Sequence, residues 1–92
     1  MRKPGKSKFD IEVINRVKEM REKKGLTQDD LAYFLDTTPG YIGQVESPGS
    51  RSKYNLNHLN RLAFEMKCSP RDFLPEDPFA ETIKSGRKKQ KK

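Results

Sequence analysis

The 92-residue chain has no tryptophan, one cysteine and one histidine. A single cysteine, Cys68, excludes an internal disulfide and fits a reducing compartment, so a cytoplasmic protein is expected. A single histidine, His58, has no cysteine or second histidine at ligand spacing, so no metal site and no cofactor are expected. No run of about 18 apolar residues occurs, which excludes a helical membrane span. The basic start leads into a polar, amphipathic run, not an apolar core, so no secretory leader is expected. No nucleophile–base pairing or phosphate-cradling loop is found, and an enzyme is not expected.

What the chain has in quantity is charge: 36% of residues are charged against 32% hydrophobic, with a formal net charge of +7. The excess is concentrated at the ends. Arg2, Lys3, Lys6 and Lys8 occupy residues 1–8 with no acid among them. Lys84, Arg87, Lys88, Lys89, Lys91 and Lys92 do the same over 84–92. The stretch between is mildly acidic. Tails of like charge mixed with glycine, serine and proline do not fold alone. Residues 1–8 therefore read as a basic disordered arm, 9–75 as the folded domain, 76–84 as an extension, and 85–92 as a second disordered tail. Such tails suit a polyanion, nucleic acid before membrane surface, or simply keep the chain in solution.

The domain reads as helices throughout. DIEVINRVKEMREKK (10–24) places Val13, Ile14, Val17 and Met20 on one side and charges on the other. Asp10 is the expected cap and Gly25 a left-handed stop. Thr27 and Asp30 form a capping box that opens TQDDLAYFL. In TTPGYIGQVE (37–46), the proline and two glycines suggest a turn. Pro39, however, follows the good cap Thr38 and falls at the first helical position, where its missing N–H costs nothing. Ile42 and Val45 then share one face, so the spacing predicts a helix over 39–46. A polar loop, SPGSRSKYN, leads to LNHLNRLAFEMK, with Leu56, Leu59, Leu62, Ala63 and Met66 as an inner stripe. Ser69-Pro70 starts a short fifth helix with Phe73 and Leu74. Phe79 and Ile83, four apart, could close the core or face a second copy. The expected fold is all-α, a compact bundle of about five short helices.

On the segments REKKGLTQDDLA, TTPGYIGQVE and LNRLAFEMKCSPRDFL, the chain resembles the phage-repressor and Cro-type helix-turn-helix domains, the XRE family, over roughly residues 11–74. The resemblance implies a lambda-repressor-like domain that binds double-stranded DNA and regulates transcription, with the helix at 39–46 in the major groove. It implies recognition positions at Thr38, Pro39, Gly40, Tyr41 and Gln44. Gln28 would bond a phosphate and buttress the reading side chains, with Thr27 and the amides of that helix start beside it. Arg21 and Glu46 would form a structural ion pair. The loop after the reading helix would face the DNA backbone, which makes Arg51, Ser52, Lys53 and Tyr54 candidate phosphate contacts. Two departures stand out: Asp36 occupies a turn position often held by glycine, and Ser47-Pro48-Gly49 opens a longer loop. A homodimer on two-fold related DNA is expected. Two other readings remain: an antitoxin-type DNA binder that also neutralises a partner toxin, and an RNA- or ribosome-associated protein held by its tails. Gly40-Tyr41-Ile42-Gly43 also spells the phosphate clamp of KH domains, but that fold needs strands and Ile42 patterns as core.

Overall fold

A computed structural model describes residues 5–80. Within them lie four α-helices, α1 (Lys8–Lys23), α2 (Gln28–Leu35), α3 (Pro39–Glu46) and α4 (Leu56–Met66), followed by a 3-10 turn, Pro70–Phe73. No strand occurs among the described residues, and none of their helices is long and apolar enough to cross a membrane. The basic tail at 85–92, residues 81–84 and the first four residues lie outside the described part, Ile83 with them.

Each helix carries its own start signal. Ser7, not Asp10, caps α1: its hydroxyl accepts from the Asp10 amide, and the Asp10 carboxylate accepts from the Ser7 amide. Asp10 thus serves at the third helical position, and the helix begins three residues earlier than expected. Thr27 and Asp30 form the same reciprocal pair at α2. Thr38 caps α3, with Pro39 in its first turn. Asn55 and His58 form the corresponding pair at α4, the imidazole Nδ1 accepting from the Asn55 amide.

Three helices also end alike. At Gly25, Asp36 and Lys67 the backbone turns left-handed, with φ of 73°, 59° and 58°. In each case the next amide donates back across the last turn: Leu26 to Arg21, Thr37 to Ala32, Cys68 to Ala63. This satisfies carbonyls that the helix leaves orphaned. Only the first stop uses glycine. Asp36 therefore takes the glycine-type turn itself, against its own backbone preference.

The core is built from Val13 and Val17 of α1, Leu31 and Ala32 of α2, Ile42 of α3, and Leu59, Leu62, Ala63 and Met66 of α4. Phe73 plugs it from the 3-10 turn, which bridges α1 and α4, and is fully buried. Burying each large side chain contributes about 1.5–3 kcal/mol. The stripe expected for α4 is correct from Leu59 onward but not at Leu56, which stands 79% exposed. It opens the helix at the rim, before α4 meets the core. Phe79 lies edge-on to Phe9 with ring centroids 5.6 Å apart, so it packs on its own chain.

The basic arm expected over residues 1–8 needs a correction. Lys6 is buried and Ser7 is a helix cap, so the folded body begins before residue 8. Lys6 sends its ammonium to the carbonyls of Gln44 (3.2 Å), Val45 (2.9 Å) and Ser47 at the end of α3. A cation there answers both the orphan carbonyls and the negative end of the helix dipole. Burial, with Lys53 in support, pushes the Lys6 ammonium below its usual range, and Asp10 opposes the shift.

Candidate nucleic-acid interface

The helix pair α2 and α3, joined by Asp36–Thr38, forms a helix-turn-helix. α3 is poor helix material on its own. It has eight residues, one proline and two glycines, and isolated helices shorter than about 12–15 residues are marginal even with favourable composition. Tertiary contacts hold it instead. Ile42 and Val45 are fully buried on its inner side. Its carboxyl end is gripped by Lys6. Its last residue, Glu46, is paired with Arg21 of α1.

That pair is bidentate. Arg21 Nε and Nη2 lie 3.0 and 3.1 Å from the two Glu46 oxygens. The side chains are only 11% and 6% exposed. Arg21 Nη1 also donates to the Leu26 carbonyl at 2.9 Å. Gln28 Nε2 donates to Glu46 Oε1 at 2.9 Å, which ties the start of α2 to the end of α3. One carboxylate therefore joins three helices.

With its inner side so engaged, α3 turns a nearly bare face outward. Thr38, Pro39, Gly40 and Gln44 are exposed, whereas Tyr41 is half-buried. A side chain at Gly40 would meet only Thr38 Oγ1, at 3.9 Å, and one at Gly43 only Gln28 Oε1, at 3.6 Å. Neither glycine has the positive φ that would demand it. The Tyr41 hydroxyl donates to the Lys53 carbonyl at 2.6 Å, and burial pushes its phenol up from the ordinary range. Its ring and that of Tyr54 both meet His58 edge-on.

The loop expected to face phosphate is only partly available. Arg51 is exposed. The Lys53 ammonium lies 3.2 Å from Asp10, in a partly exposed pair that contributes little stability and is easily exchanged. The Ser52 hydroxyl donates to Gln44 Oε1 at 3.3 Å. Tyr54 does not fit the expected role: its hydroxyl is buried and without a hydrogen-bond partner among the described residues. Burial first, then Glu46 and Tyr41, drive that phenol well above its ordinary range, with Arg21 opposing. An aromatic in a polar loop reads as a surface contact until the loop folds back over α4.

Thr27 is exposed at the head of α2, and Gln28 is half-buried beside it. So Thr27, Gln28, Thr38, Pro39, Gly40, Tyr41, Gln44, Arg51, Ser52 and Lys53 gather around α3, the start of α2 and the following loop. Lys6 is the residue that sequence reasoning missed. The Ser7-x-x-Asp10 capping box signals that the helix starts at Lys8 and that residue 6 lies against the folded body, but not which carbonyls Lys6 meets. Among the described residues, no group of three or more histidine, cysteine or acidic side chains could hold a metal ion.

No family model and no curated protein matches the chain. Among solved structures, the chain is similar to the restriction-modification controller protein C.AhdI from Aeromonas hydrophila, with a TM-score of 0.59 and 28% sequence identity. The match covers 70% of this chain and 94% of that protein. The likeness thus takes in nearly the whole controller protein and shares with it an all-helical, helix-turn-helix architecture.

Proposed function

We propose that this chain is a small transcriptional regulator that binds double-stranded DNA, with α3 seated in the major groove. One observation carries the reading. An intrinsically weak helix is held from within by a buried ion pair, a lysine clamp and two core residues, while its outer face is left open around an exposed Gln44. The likeness to a restriction-modification controller protein supports a regulatory role.

In this reading Gln44 is the main base-reading group, since its amide can donate and accept along a base edge. Thr38, Pro39, Gly40 and Tyr41 bring the backbone of α3 close to the groove. The first amides of α2, with Thr27 and Gln28, meet a phosphate favoured by the helix dipole. Arg51 and Lys53 meet another, which helps to fix the register on the duplex and carries no sequence information. Arg21–Glu46 fixes the seat of α3 and touches no DNA. Because so few side chains read bases, one copy discriminates weakly. Two copies on two-fold related half-sites would double the readout.

The test is a titration of the full chain against duplex DNA from a selected pool, against scrambled duplex and against single-stranded RNA, over a salt series. The reading expects preference for the selected duplex and a log–log salt slope set by a handful of phosphates. Equal binding to RNA, unchanged by Gln44→Ala, would instead favour a protein held to RNA by its tails.

A further inference from the structure

Two contacts from outside α3 converge on Gln44. The first comes from the amino-terminal segment. Lys6 crosses 38 residues of sequence to bond the Gln44 backbone carbonyl, along with those of Val45 and Ser47. The second comes from the loop that follows α3. The Ser52 hydroxyl bonds the Gln44 side-chain oxygen at 3.3 Å.

These contacts belong to one folded unit. The Ser47 carbonyl that receives Lys6 also accepts the Ser50 amide at 3.1 Å, closing a turn. The Ser50 hydroxyl accepts the Ser52 amide at 3.1 Å, which aims Ser52 back at α3. The amino-terminal segment lies so close to this turn that a side-chain carbon at Gly5 would come within 2.8 Å of Arg51 Cα. Only glycine passes there without moving the loop. Lys6 thus holds the base of the turn, and the turn holds Gln44.

We propose that Ser52 and Lys6 are positioning residues for Gln44, fixing its amide before it meets a base. The proposal rests on the reading of Gln44 as the base-reading group. A free glutamine side chain has three rotatable bonds, and ordering it on binding opposes affinity. A side chain already bonded to Ser52 has less of that freedom to lose on binding. The Gln44 oxygen has two lone pairs. It can keep Ser52 and still accept from a base, while its amide nitrogen stays directed outward to donate. The assignment changes the role expected for Ser52 from phosphate contact to support of the reading residue.

A double-mutant cycle on the full chain tests it, using Gln44→Ala, Ser52→Ala and both together, with Ser52→Thr retaining the hydroxyl. The readout is the ratio of Kd values for the selected duplex and for one altered at the base pair whose preference Gln44→Ala removes. Expected is a loss of about three- to tenfold in that ratio for Ser52→Ala, equivalent to roughly 0.7–1.4 kcal/mol. No further loss is expected in the Gln44→Ala background, and Ser52→Thr should retain most of the preference. Lys6→Met, checked for folding by circular dichroism, should lower the same ratio, with Lys6→Arg recovering part of it. The proposal is overturned if Ser52→Ala weakens all duplexes equally and still does so beside Gln44→Ala, which is how a phosphate contact behaves. It is overturned equally if Ser52→Ala and Lys6→Met leave the ratio unchanged while Gln44→Ala abolishes it; the DNA reading then stands alone. If the wild-type chain prefers no duplex sequence, both fall together.

Discussion

Replacing Gly43 by alanine should stabilise the protein and weaken its binding, two effects of opposite sign from one methyl group. Gly43 is interior to α3, has no positive φ, and a side-chain carbon there finds only Gln28 Oε1 at 3.6 Å, an ordinary contact. Nothing inside the protein requires glycine. Mid-helix glycine costs about 0.5–1 kcal/mol relative to alanine, so Gly43→Ala should raise stability by that amount. In a domain of this size that is roughly 2–8 °C in Tm. Gly40 sits in the first turn, where the gain should be smaller. Its added methyl would stand on the open face, with only Thr38 nearby at 3.9 Å. If α3 lies against a groove floor, each methyl holds the backbone away from it. Gly40→Ala should then weaken duplex binding at least about tenfold, or 1.4 kcal/mol. The assays are urea unfolding followed by circular dichroism, because the chain has no tryptophan to report, and fluorescence anisotropy with labelled duplex. Variants that are stabilised yet bind as tightly as wild type would refute the claim that the bare face makes contact. Variants that lose stability would show that the glycines serve the fold.

Glu46→Ala leaves the buried Arg21 guanidinium with the Leu26 carbonyl and a long 3.9 Å contact to the exposed Glu22 carboxylate, and should cost about 3–5 kcal/mol; a loss under 1 kcal/mol in urea unfolding would mean the pair is effectively solvated. Tyr54→Phe removes a buried hydroxyl without a partner, so stability should hold or rise by about 1 kcal/mol and DNA affinity should not change, whereas a phosphate-binding Tyr54 would show weaker binding in anisotropy titrations. Burial holds the His58 imidazole below its ordinary 6.5, so the unfolded chain takes up that proton first. Its stability contribution should be complete above pH 6.5 and decline as pH falls below it. Asp10 adds nothing in that window: burial raises it, but the Ser7 amide and Lys53 outweigh burial and hold it below the ordinary 3.8. Urea midpoints measured from pH 7 to pH 5 should therefore fall in wild type and flatten in His58→Gln, which keeps a side chain able to cap Asn55.

Much of this architecture is local, and local features were legible. Thr27 with Asp30, and Thr38 with Pro39, mark helix starts through bonds spanning three residues. Ile42 and Val45 announce the buried side of α3 by spacing alone. Arg21 and Glu46 lie 25 residues apart, and only the family resemblance brought them together. What stayed hidden depends on contacts that no periodicity encodes. Lys6 looked like one more charge in a basic arm, because its partners are backbone carbonyls some 40 residues away and carry no sequence signature. Ser52 and Tyr54 sit two residues apart in one polar loop, yet one supports Gln44 from the surface and the other buries its hydroxyl. Composition could not separate them. Leu56 fits the α4 stripe by spacing but precedes the point where the helix reaches the core.

The central claim is that α3 reads DNA through Gln44. It is tested most directly by in vitro selection from random duplexes, run in parallel with wild type and Gln44→Ala. The account predicts a short, two-fold related consensus for wild type in which one base pair per half-site loses its preference in Gln44→Ala, the other positions persisting. Identical consensus sequences from the two proteins, or none from either, would contradict it.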